Sequence, residues 1–173
     1  MVALPLVNKV VSSGTTGGGR GRDEVYVGAV GLRATKGPPQ LLMSAAYSLR
    51  LWHFHHFIVI IKSSIPPLSQ GLYVFDFQPE DPENMDVALA ALFGKPVPGI
   101  VLTRKLMKLP KNKCFFVGSS KVDNAIDAAY EFNSNWETDL RIGYHDCRHY
   151  TNGLVECLTG ETLVLERLKK TLW

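Results

Sequence analysis

The stretch Trp52-His-Phe-His-His-Phe-Ile-Val-Ile-Ile-Lys62 constrains the fold of this chain more than any other. It is β-branched and aromatic almost throughout, and its apolar residues fall on both parities. Successive strand side chains point to opposite faces, so such a strand must be covered on both. It therefore belongs inside a sheet. The segment from Ser63 to Gly71, with Pro66-Pro67, predicts a turn, and Leu72-Tyr-Val-Phe-Asp-Phe77 returns as the next strand.

Other elements follow from local signals. Glu24 to Leu32 reads as a strand interrupted by glycines, and Pro38-Pro39 can open a helix over Gln40–Leu49. Glu80-Asp-Pro-Glu-Asn84 predicts the start of a helix over Met85–Phe93, closed by Gly94. Ile100–Thr103 and Cys114–Gly118 are further strands. Ser119 or Ser120 is expected to cap a helix bearing Val122, Ala125, Ile126, Ala129, Tyr130 and Phe132. Leu140–Tyr144 leads into a helix from Asp146 whose face carries Tyr150, Leu154, Val155 and Leu158, with Gly160 as its stop. A final short helix covers Glu161–Leu172. The pattern is α+β: a small antiparallel sheet with helices packed on it.

At 173 residues the chain suits one domain, residues 23–173, behind a tail of residues 1–22. That tail has no acidic residue, and Gly17-Gly-Gly-Arg-Gly21 separates it from the rest. It reads as disordered, or as an organellar targeting segment if Arg20 and Arg22 serve an address. A net charge of +3 is too weak to call for nucleic acid. The basic run from Arg104 and Lys105 to Lys113 reads as a solvated loop. Three cysteines at 114, 147 and 157 form neither a disulfide framework nor a zinc pattern, which fits a reducing, cytoplasmic setting. His53-x-His55 lacks a third ligand nearby, so neither metal nor cofactor is expected. No apolar run reaches the roughly 20 residues that a membrane span needs. Nothing in the pattern specifies an oligomeric state.

Chemistry concentrates in Tyr144-His-Asp-Cys-Arg-His-Tyr-Thr-Asn152. Asp146 is a good N-cap, which puts Cys147 in the first helical turn, where free N–H groups and the helix dipole favour a thiolate. A cysteine nucleophile needs a base, commonly histidine, and a third group to orient it. His56, placed by alternation with Ile58 and Ile60, is the candidate base. Asp76 interrupts an apolar strand expected to pair with the histidine strand, and would hold His56 in the useful tautomer. His149 lies on the Cys147 helix two residues on, points away, and is assigned a structural part. Cys114 and Cys157 read as small hydrophobes.

The order of histidine on a strand, polar residue on the next strand and cysteine at a helix start resembles that of circularly permuted papain-like proteins. Within that group, His56-Phe-Ile-Val-Ile-Ile61 and Asp146-Cys-Arg-His-Tyr150 resemble the two hallmarks of the lecithin:retinol acyltransferase family, a histidine before an apolar strand and an Asn-Cys-Glu-His-Phe box. Tyr73-Val-Phe-Asp-Phe77 sits where that family has its second histidine, and Asp127–Phe132 where it has a helix. The PPPDE-type peptidases, deSUMOylating isopeptidases among them, compete. Val117-Gly-Ser-Ser120 and Tyr150-Thr-Asn-Gly-Leu-Val-Glu-Cys-Leu-Thr-Gly160 are similar to segments of theirs. The resemblance implies a thiol enzyme acting on an acyl-lipid or on a peptide or isopeptide bond of a ubiquitin-like conjugate. An inactive interaction module is the third reading, because Asp146 stands where the family has Asn and a carboxylate opposes an adjacent thiolate. Acyltransferases of the group carry an apolar C-terminal anchor. Here Glu166–Trp173 is a basic amphipathic stretch suited at most to peripheral membrane contact through Leu168, Leu172 and Trp173.

Overall fold

The computed structural model describes residues 21–31, 55–64 and 71–172. Within them the fold is α+β: a six-stranded antiparallel sheet and four helices. In chain order the elements are β1 (Glu24–Gly31), β2 (His55–Lys62), β3 (Leu72–Pro79), α1 (Met85–Leu92), β4 (Val97–Leu106), β5 (Cys114–Ser119), α2 (Ala125–Ser134), β6 (Asp139–Leu140), α3 (Cys147–Thr159) and α4 (Val164–Leu172). The sheet order is β5-β1-β2-β3-β4-β6. As its composition requires, β2 lies in the interior, and every residue of it except Lys62 is buried. The predicted helix over 40–49, the residues Trp52, His53 and Phe54, and residues 1–20 of the tail lie outside the described residues.

The two faces of β2 serve two clusters. Phe57, Val59 and Ile61 join Phe75 and Phe77 of β3 and Tyr150, Leu154, Val155 and Leu158 of α3 in the main core. Ile58 and Ile60 join Val74 in a smaller cluster, against which Tyr26, Leu72 and Leu106 pack. Gly28, which weakens the β1 signal in the sequence, has a packing reason: a Cβ there would stand 2.8 Å from Cγ1 of Ile58. Gly99 on β4 is under the same constraint, since a Cβ would lie 2.7 Å from the Phe77 ring.

Some expected boundaries move. The cap of α2 is Asn124, whose side chain accepts from the N–H groups of Ile126 and Asp127; neither Ser119 nor Ser120 caps it. Ser120 instead closes its own loop, donating to the Val122 carbonyl at 2.9 Å and accepting from the Val122 N–H. The last helix begins at Val164, not Glu161, after Leu163 at φ +49°. The basic run is only partly a loop. Arg104 and Lys105 are on β4, Lys105 stands over the Tyr73 ring at 5.0 Å, and Lys113 Nζ lies 2.9 Å from His55 Nε2. Among the described residues no helix is long and apolar enough to cross a membrane.

Candidate active site

A fork in the sheet makes the site. β1 stays paired with β2 as far as Val30↔His56 and Gly31↔His55, and β3 with β4 as far as Pro79↔Gly99. The β2–β3 pairs, in contrast, end at Val59↔Phe75. Beyond that pair the two strands part, with His56 on one prong and Asp76 on the other. Both are buried, His56 at 9% exposure and Asp76 at 0%. His56 Nε2 lies 3.4 Å from Asp76 Oδ2, and Arg104 Nη2 donates to the same oxygen at 2.8 Å. The other carboxylate oxygen, Oδ1, is buried with no hydrogen-bond partner among the described residues.

Cys147 enters from the third element. It is the first residue of α3, half-buried against the main core, where a helix offers N–H groups that have no carbonyl partner of their own. It lies near enough to His56 for its sulfur to act on the ring electrostatically. Burial alone would lower the His56 pKa. The hydrogen bonds and negative charges of Asp76 and Cys147 outweigh that and raise it to about 9. The three residues singled out in the sequence, one on each of two strands and one on a helix, thus meet at one point.

Asp146 behaves differently from its sequence position. Its carboxylate does cap α3, accepting from the Arg148 N–H at 3.0 Å, but it also accepts from the Gly143 N–H at 2.7 Å and pairs with the Arg148 guanidinium. Burial would raise its pKa; Arg148, the Gly143 N–H and His149 together hold it well below the usual carboxylate range. The charge that looked awkward beside Cys147 is matched by a cation two residues away. His149 has the structural part assigned to it: its Nδ1 accepts from the Asp146 N–H at 3.4 Å in a capping box and lies 3.0 Å from Asp146 Oδ1.

His145 was overlooked in the sequence. Its ring stacks on Trp136 at 4.5 Å and meets the edge of Phe77 at 5.5 Å, and its Nε2 donates to the Glu137 carbonyl at 2.9 Å. Its carbonyl accepts from the Arg141 N–H, and together these bonds set the approach of residues 141–146 to α3. Arg104 and Arg148 were also missed as members of the site. An arginine at an inward position of a strand, and one two residues after an N-cap aspartate, were the available signals. Cys114 and Cys157 stand apart, on β5 and late in α3, and burial pushes both thiols up. Among the described residues no three His, Cys, Asp or Glu side chains converge as a metal site.

Comparison with protein-family models, with curated proteins and with solved structures finds no match to this chain.

Proposed function

We propose that this chain is a cysteine-dependent acyl-transfer enzyme with a circularly permuted papain-like arrangement, in which Cys147 is the nucleophile, His56 the base and Asp76 the residue that orients it. The observation that carries the reading is His56, buried between a carboxylate and a cysteine at a helix start. The chain order of strand histidine, strand aspartate and helix cysteine supports the permuted arrangement.

His56 Nε2 faces Asp76, which leaves Nδ1 for the Cys147 proton. The thiolate attacks an ester, thioester or amide carbonyl, and the oxyanion gathers N–H donors from the first turn of α3. The tetrahedral adduct collapses, and the leaving oxygen, sulfur or nitrogen takes the proton from His56. The acyl group stays on Cys147 as a thioester until an acceptor, activated by His56, removes it. A buried imidazole between a carboxylate and a cysteine is suited to carrying that proton in both directions. Asp146 does not stand against this reading, because Arg148 compensates it.

An alkylation profile tests the proposal. Cys147 should react with iodoacetamide at pH 7 at least about tenfold faster than Cys157, with the difference abolished in Cys147→Ser and reduced in His56→Ala. Equal rates at the two cysteines would identify an inactive fold and overturn the proposal. An acyl thioester and a ubiquitin-like conjugate, offered separately, then tell lipid-type acyl transfer from isopeptide cleavage by which of them acylates Cys147.

A further inference from the structure

Helix α1 is apolar on the wrong side. Its inward residues Val87, Ala90 and Ala91 pack on the main core, as an amphipathic helix requires. The opposite face should be polar, yet at helical spacing it carries Met85, Leu89, Leu92 and Phe93, all exposed, with Phe93 at 78%. The patch continues toward the site. Arg141 Nε donates to the Gly94 carbonyl at 2.9 Å, tying the turn of residues 141–144 to the end of α1. In that turn Ile142 is exposed and Tyr144, at 72% exposure, stacks on the Arg141 guanidinium at 4.6 Å. Tyr144 is three residues from Cys147. Exposed apolar clusters of this kind mark contact surfaces.

The rim says what kind of surface makes the contact. Glu80, Asp81, Glu83 and Asp86 are all exposed around the start of α1, and none is in an ion pair among the described residues. Lys95 alone answers them within the segment. An anionic lipid surface would meet four like charges there, so membrane seating is disfavoured. A second copy presenting the same patch would oppose acid to acid.

We infer that the α1 face and the 141–144 turn form a docking surface for a protein segment that carries an apolar stripe edged by Lys or Arg. That the docked protein is also the acyl substrate rests on the proposed thiol chemistry; the binding itself does not. Apolar anchors would fill the spaces between Leu89, Phe93 and Tyr144, while the acids set orientation and exclude acidic partners. Binding energy taken up there, away from the reacting bond, would deliver a carbonyl to Cys147.

The test uses the full chain and two short fluorescent amphipathic helices, one of Leu and Lys and one of Leu and Glu. The Leu/Lys peptide should bind at least about tenfold tighter, with an affinity that falls as salt rises. Leu89→Ser with Phe93→Ser should cost about tenfold or more, whereas Phe116→Ser, an exposed aromatic on β5, should leave binding unchanged. Replacing Glu80, Asp81 and Glu83 by Lys should reverse the preference to the Leu/Glu peptide without touching an apolar contact. Equal binding of the two peptides overturns the inference, as does binding indifferent to the α1 substitutions. So does α1-dependent binding to phosphatidylserine vesicles in place of the peptide, or α1-dependent dimerisation in sedimentation. Because peptide binding is read without any reaction at Cys147, its failure is distinguishable from failure of the alkylation test.

Discussion

Asp146 illustrates how a residue's meaning depends on the partners its side chain takes, even when they are close in sequence. As a cap it was legible at once; as a charge beside a nucleophile it argued against catalysis. Its side chain is nearly buried and shares its charge with Arg148 and the Gly143 N–H. Arg148→Ala should therefore destabilise the protein by about 1–3 kcal/mol, because it leaves a buried carboxylate short of its cation. Adding Asp146→Asn should recover most of that loss in urea unfolding. Arg104 makes the parallel case for Asp76. Removing it as Arg104→Met leaves a fully buried carboxylate with His56 as its one counter-charge, and should cost a similar amount, about 1–3 kcal/mol. The Arg148 pairing is local and readable beside its cap, whereas nothing near Arg104 in the sequence says that it will reach Asp76.

At the level of elements, periodicity was a good guide where a face is buried. The α3 face of Tyr150, Leu154, Val155 and Leu158 was readable from spacing, and all four are fully buried. Leu154→Ala should cost about 2–5 kcal/mol by chemical denaturation, from lost burial and the cavity left behind. The end of α3 was equally readable: Gly160 adopts φ +73° and closes the helix through its N–H to Glu156. The start of α2 was misread because Ser and Asn are comparable caps, and the choice of Asn124 goes with Asp23, which accepts from the Ala125 N–H at 3.2 Å from a distant part of the chain. The reason for Gly28 on β1 and Gly99 on β4 lies in the side chains packed over them, which the sequence does not show. Gly99→Ala would push a methyl into the Phe77 ring and the side chain of Leu140, and should cost about 1–3 kcal/mol of stability in chemical denaturation or disturb the β4–β6 pairing.

On the scale of the whole molecule, the buried His56 couples the site to stability. Its folded pKa of about 9 exceeds the unfolded value near 6.5, so folding is favoured by a proton bound at His56. The contribution, on the order of 3 kcal/mol, is fully present below about pH 6.5 and disappears as pH rises through 9. Unfolding free energies measured between pH 6 and 10 should fall across that window, and His56→Gln should flatten the slope. Alkylation of Cys147 to a neutral adduct should remove part of it while leaving the Asp76 share. A slope unchanged by His56→Gln would mean that the proton is held elsewhere.

The sequence by itself determined that β2 lies inside a sheet, that α3 begins at Asp146 and ends at Gly160, and that a histidine, an aspartate and a cysteine occupy positions where each needs a partner. These follow from period, caps and the cost of burying polar groups, which act over a few residues. Tertiary structure alone decided where the strands part. The register of β2 against β1 and of β3 against β4 runs on after β2 and β3 separate, and a separation depends on what packs between two prongs, not on either strand's own residues. That fork opens the space in which the His56 ring meets Asp76, and α3 brings Cys147 to the same ring. Tertiary structure also places Arg104 against Asp76, because a charge pairing across 28 residues is settled only once the chain has folded.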